Sequence, residues 1–143
     1  MSANNSTIER ERERERERER RPLTLVKLKD AYKSWLALYK NFPKVERFGI
    51  GQKVERAFLE ALELIFLSSY LPPEQKLPLL TKAVTRLDVL KFFLQIIWEN
   101  KLMTTERYSA LFTNLEEVGK MLYGWKKGLE DKLSRRNVGR EPQ

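Results

Sequence analysis

Four stretches of this chain repeat apolar residues at alternating steps of three and four, the spacing that lines up side chains on one face of an α-helix. The first runs from about Leu23 to Phe42 and carries Leu25, Leu28, Tyr32, Trp35, Tyr39 and Phe42, with Pro43 as its stop. The second runs from about Ile50 to Tyr70 on Ile50, Val54, Ala57/Phe58, Ala61, Ile65 and Ser68, and ends at Pro72-Pro73. The third, from near Lys76 to about Asn100, uses Leu80, Ala83, Leu87, Leu90, Leu94 and Ile97, with Pro78 placed in its first turn. In the fourth, Thr104 is the expected N-cap, Glu106 complements the helix dipole, and Tyr108, Leu111, Leu115, Val118, Leu122, Trp125 and Leu129 form the stripe down to about Lys132.

Short connections make sequential helices pack side by side, so the expected fold is all-α: an antiparallel up-down-up-down four-helix bundle over 22–133. No segment alternates with period two between turn signals, which excludes a sheet as the organising element.

The middle helices carry more apolar residues than one core stripe uses. Leu59, Leu64, Phe66 and Leu67 lie off the second stripe, and Val89, Phe92, Phe93 and Ile96 lie off the third. Two apolar faces on one helix mean cover on both sides. A homo-oligomer is therefore expected, a closed ring or a dimer, with Val89, Phe92, Phe93, Ile96, Leu64 and Leu67 at the interface. A broad monomeric core is the alternative reading of the same residues.

Composition changes the picture mainly by exclusion. The 143 residues contain no His and no Cys. Imidazole-based triads, thiol nucleophiles, zinc fingers and disulfides are thereby ruled out. Paired acids at Glu116/Glu117 and Glu130/Asp131 are sequence neighbours, which point away from each other on a helix. The Gly119 to Gly124 stretch lacks the lysine and preceding strand of a phosphate loop, because Trp125 stands at the lysine position. Gly119, Gly124 and Gly128 read instead as places where the fourth helix comes close to a neighbour or to a ligand. No catalytic residue, metal or cofactor is expected.

The net charge is +8, from 28 basic and 20 acidic residues. Glu9 to Arg21 is an uninterrupted Glu/Arg run that contributes only one positive charge, so residues 22–143 retain +7. Nothing in residues 1–21 offers a core contact, and this leader is expected to be disordered or loosely helical, with 134–143 a flexible basic tail. The leader has no apolar h-region and no segment reaches transmembrane length, so a cytoplasmic, non-membrane protein is expected. Elsewhere, Lys82, Arg86, Val89, Phe93 and Ile96 form one stripe on the third helix, basic in its first half and apolar in its second. Residues 22–44 carry five lysines against Asp30. Clustered cations of this kind mark a phosphate-binding protein.

Phe42-Pro-Lys-Val-Glu-Arg-Phe48 continuing through Gly49-Ile-Gly-Gln-Lys-Val-Glu-Arg56, together with Glu117-Val-Gly-Lys-Met-Leu-Tyr-Gly-Trp-Lys126, resembles the accessory variability determinant (Avd) of diversity-generating retroelements. That group sits beside the ribosomal intervening-sequence proteins, whose Asn-Ile-Ala-Glu-Gly stretch is replaced here by Phe58 to Phe66. The likeness covers roughly 24–133. It implies a homopentameric barrel, encoded by a bacterium, archaeon or phage. It further implies binding of the retroelement reverse transcriptase and of template RNA or RNA/DNA hybrid in support of mutagenic cDNA synthesis, with no chemistry of its own. On that reading Lys82 and Arg86 face the partner, followed by Arg47, Lys53, Arg56, Lys120, Lys126 and Lys127. The competing reading is a ring-forming helical scaffold that binds only protein.

Overall fold

A computed structural model describes residues 2–140; side chains at 2–4, 13–14, 16–22 and 137–140 are outside the described set. The described residues are helical with no strand, in the order α1 (Ser2–Tyr39), α2 (Lys44–Phe48), α3 (Ile50–Ser68), α4 (Pro73–Glu99) and α5 (Thr105–Arg140).

The stripes read from the sequence form the interior. On α3, Val54, Ala57, Phe58, Ala61, Ile65 and Ser68 are buried, and on α4 so are Leu80, Ala83, Leu87, Leu90, Leu94 and Ile97. From α5 come Leu111, Leu115, Val118, Leu122, Trp125 and Leu129. On α1, Leu28, Ala31, Trp35 and Leu38 are buried, as is Phe42 in the turn that follows, with Leu25, Tyr32 and Tyr39 packed at the margin. Full burial of each large apolar side chain stabilises by about 1.5–3 kcal/mol, so a single shared core of this size holds the helices together.

Contacts run α1 to α3, α3 to α4, α4 to α5 and α5 back to α1. Successive long helices run in opposite directions. Tyr39 meets the start of α3 while Tyr32 meets Phe58 further along it. Glu60 pairs with Arg86 between α3 and α4. Trp98 stacks on Tyr108 at one end of the α4–α5 pair, and Arg136 bonds Glu74 at the other.

Helix boundaries differ from expectation in three places. The backbone of α1 is helical from Ser2 and takes in the Glu/Arg run, whereas the first apolar stripe begins near Leu23. Glu and Arg are both good helix formers, and opposite charges fall at i,i+3. At the other end α5 continues to Arg140, with Arg136 held at 3.0 Å by Glu74; the rest of the expected basic tail, 141–143, lies outside the described residues. Helix α4 starts at Pro73, not near Lys76, which places Pro73 in the first turn and leaves Pro78 inside the helix. Thr104 does cap α5: its hydroxyl accepts from the Arg107 N–H at 3.2 Å.

Candidate nucleic-acid interface

The corner between α1 and α3 is built by the first of the two recognised motifs. Helix α2 has only five residues and buries none of them, so its position is set by polar contacts. The Arg47 guanidinium donates to the carbonyls of Lys40 at 2.8 Å and Phe42 at 3.2 Å, which satisfies acceptors left open at the end of α1. The Tyr39 hydroxyl donates to the Arg47 carbonyl at 2.7 Å. Arg47 is thus a brace of the fold. Its Nη2 is turned toward backbone, while its buried Nε has no hydrogen-bond partner among the described residues.

Two tetrads of identical sequence, Lys44-Val-Glu-Arg47 and Lys53-Val-Glu-Arg56, are used in opposite ways. In the second, Arg56 and Lys53 are exposed and Glu55 turns inward, accepting from Trp35 Nε1 at 2.9 Å and from the Tyr32 hydroxyl. Burial, then the hydrogen bond to Glu55, pushes the Tyr32 phenol up to about 12.

Lys82 and Arg86 lie with Thr81 and Thr85 along one side of a groove of about 520 Å³ between α4 and α3, opposite Glu60, Glu63, Leu64 and Leu67. Arg86 Nε bonds Glu60 at 2.9 Å, whereas Lys82 forms no ion pair among the described residues. The groove is therefore mixed in charge with an apolar side, not a uniformly basic trench.

Lys120, Lys126 and Lys127 sit on α5, so they belong to a different part of the surface from the α3–α4 groove. Lys120 and Lys127 are exposed and form no salt bridge among the described residues, although the charge of Lys120 reaches Glu116 and Glu117, while Lys126 lies 3.7 Å from Glu130. The neighbouring acids are consumed by interhelical pairs. Glu116 accepts from Lys91 at 2.8 Å, and Glu117 pairs with Lys27 of α1. The hydrogen bonds from Lys91 and Lys27, backed by their charge, hold both carboxyls below the usual carboxylate range. The outer face of α5 consequently presents Lys120 and Lys127 with Tyr123 between them. The exposed lysines of α1, Lys29 and Lys33, with Lys40 in the turn after it and Lys44 at the start of α2, form no ion pair among the described residues and add to the exposed positive charge.

The apolar residues expected at an oligomer interface divide. Phe92 and Leu67 are exposed, Phe92 at 59%. Leu64 and Phe93 pack against the core margin, and Val89 and Ile96 are half-buried. Sequence reasoning missed Val45 and Phe48, the most exposed apolar pair, because a five-residue helix is too short to show a period.

Gly119 is not a close approach: a Cβ built there meets nothing within 4 Å. Gly51 is one, since a Cβ there would stand 2.6 Å from Tyr39 Cε2 and 2.9 Å from the Glu46 carbonyl. Among the described residues no acidic cluster could hold a metal ion, and no helix is long and apolar enough to cross a membrane.

Among protein families, the one described as bAvd-like matches residues 23–129, a span that takes in every buried stripe and both motifs. No curated protein and no solved structure matches the chain.

Proposed function

This chain belongs to the bAvd-like family, and on that premise we propose that it is a non-catalytic accessory protein of a diversity-generating retroelement. Its four long helices form an antiparallel bundle, and bundles assemble through the α3–α4 face into a homopentameric barrel. The barrel binds the retroelement reverse transcriptase together with template RNA or RNA/DNA hybrid, and so supports mutagenic cDNA synthesis.

The family match over 23–129 carries this reading. The charge distribution supports it physically. Lys53, Arg56, Lys82, Lys120 and Lys127 are exposed cations that form no salt bridge among the described residues, while nearby acids are engaged first with Arg86, Lys91 and Lys27. Phosphate contacts from such side chains position a nucleic acid without reading its sequence, and a helical surface presents no element shaped for base edges in a duplex groove. Copying the surface around a ring multiplies the field that a polyanion meets.

The Arg86–Glu60 pair favours the second reading, a scaffold for protein partners only, because it neutralises half of the groove's basic side. Titrating labelled RNA and RNA/DNA hybrid at two salt concentrations separates the two. Affinity falling steeply with salt supports the nucleic-acid reading; salt-indifferent binding, or none, refutes it. Native mass spectrometry against the 17.0 kDa protomer tests the pentamer.

A further inference from the structure

Val45 is 83% exposed and Phe48 64%, one turn apart on a helix that contributes nothing to the core. Exposed apolar side chains on a mobile loop would call for no explanation, but α2 is braced. Arg47 ties it to the last carbonyls of α1, the Tyr39 hydroxyl holds its backbone, and Gly51 lets the Tyr39 ring close against the start of α3. The fold spends an arginine, a tyrosine and a glycine on fixing a segment whose outward side chains are a phenyl ring and a valine.

The charges of the segment that carries that ring have one sign in excess. Of the ionisable residues from Lys40 to Arg56, Arg47 and Glu55 are committed to internal hydrogen bonds. Lys40, Lys44, Lys53 and Arg56 are exposed and form no ion pair among the described residues, against Glu46 alone. An exposed aromatic ring with Lys44 one helical turn away on the same helix, in a segment rich in exposed cations, offers what single-stranded nucleic acid uses: a ring on which a base stacks and cations for its flanking phosphates. A protein partner is the less suitable occupant. A standard protein interface covers about 800 Å² on each side, far more than two side chains on a five-residue helix present.

We propose that the α1–α2–α3 corner is a single-strand RNA platform, on which an unpaired base stacks on Phe48 beside Val45 while Lys40, Lys44 and Lys53 hold the adjoining phosphates. This rests on the nucleic-acid reading above and adds to it a preference: duplex, whose bases are already stacked, gains only the phosphate contacts.

Binding by the full-length protein to a fluorescent single-stranded RNA of about twelve nucleotides, and to the same RNA annealed to its complement, tests the platform. The comparison takes wild type, Phe48→Ala, Phe48→Trp and Lys44→Ala, with thermal melts confirming that each is folded. Phe48→Ala is expected to weaken single-strand binding roughly 5- to 100-fold, the range that loss of one stacking partner produces, with duplex binding changed less than about twofold. Phe48→Trp restores affinity, and its added emission is quenched by the single strand alone. Lys44→Ala lowers the salt dependence. Wild-type affinity in Phe48→Ala, or an equal loss on both RNAs, overturns the platform while leaving general nucleic-acid binding in place. A Phe48→Ala protein that keeps RNA but loses a co-purified polymerase assigns the corner to protein instead. Wild type that binds neither RNA removes the platform and the broader reading together.

Discussion

The ring of Tyr39 closes over Gly51 so tightly that a Cβ there would stand 2.6 Å from the ring. One residue type therefore fixes the angle between α1 and α3. Gly51→Ala gains helix propensity, about 1 kcal/mol, but overpacks a site bounded on its second side by the Glu46 carbonyl. With an overpacking cost of about 1–3 kcal/mol against that gain, a net destabilisation of up to about 2 kcal/mol is expected in urea denaturation. Truncating the opposing ring in Gly51→Ala/Tyr39→Ala should cost less than the two changes summed, because the clash and the ring are then removed together.

Gly119 is the reverse case. With open space where a Cβ would sit, Gly119→Ala should raise stability by up to about 1 kcal/mol. If a partner approaches the helix there, the same variant melts higher yet binds RNA or polymerase less well. A melt and a titration on one sample distinguish these outcomes.

Glu55 accepts from Tyr32 and Trp35, and Trp35 is fully buried. Glu55→Ala leaves the indole N–H without its acceptor, an expected cost of about 1–3 kcal/mol. The raised Tyr32 phenol gives a second readout. Its folded value of about 12 exceeds the ordinary 10.0, so the stability it contributes is complete below 10 and is lost as pH rises toward 12. Melting temperature should decline across that window in wild type and decline less in Tyr32→Phe.

On the acid side the sign is opposite. Glu116 and Glu117 sit below the usual carboxylate range because Lys91 and Lys27 favour their charged forms. Their contribution is present above that range and disappears as pH falls through the lowered values. Both are surface groups, so the effect is small and salt-sensitive. Glu116→Gln/Glu117→Gln should flatten the acid limb of a melting profile at low ionic strength and leave the neutral region nearly unchanged.

Phe92 is exposed on α4 and outside the core, so Phe92→Asp should melt within about 0.5 kcal/mol of wild type, as surface substitutions do. If the α3–α4 face joins protomers, the variant appears at the 17.0 kDa protomer mass where wild type does not. Unchanged assembly would place the contact elsewhere.

The core was legible because burial imposes a period. Every stripe residue named from Val54 to Ser68 on α3 and from Leu80 to Ile97 on α4 is buried. Ala31 and Leu38 were overlooked on α1, since a single line of spacing omits the adjacent line of a wide face. Helix α2 left no trace, having no buried residue to repeat. The bracing role of Arg47 left no sign in the sequence for a related reason: its partners are the backbone carbonyls of Lys40 and Phe42, which carry no side-chain signature. Gly119 and Gly51 are indistinguishable in sequence, and only the position of the Tyr39 ring separates them.

The alternation of helix directions has one more consequence. Since α1 and α5 pack together and run oppositely, the chain enters and leaves the helical body at the same end, with Lys27 of α1 paired to Glu117 of α5. Connectivity is then separable from architecture. A circular permutant that joins α5 to α1 through a short linker and opens at Leu71-Pro72 keeps every interhelical contact. Its folding would show that the order of the helices in space, and not their order along the chain, is what the apolar stripes encode.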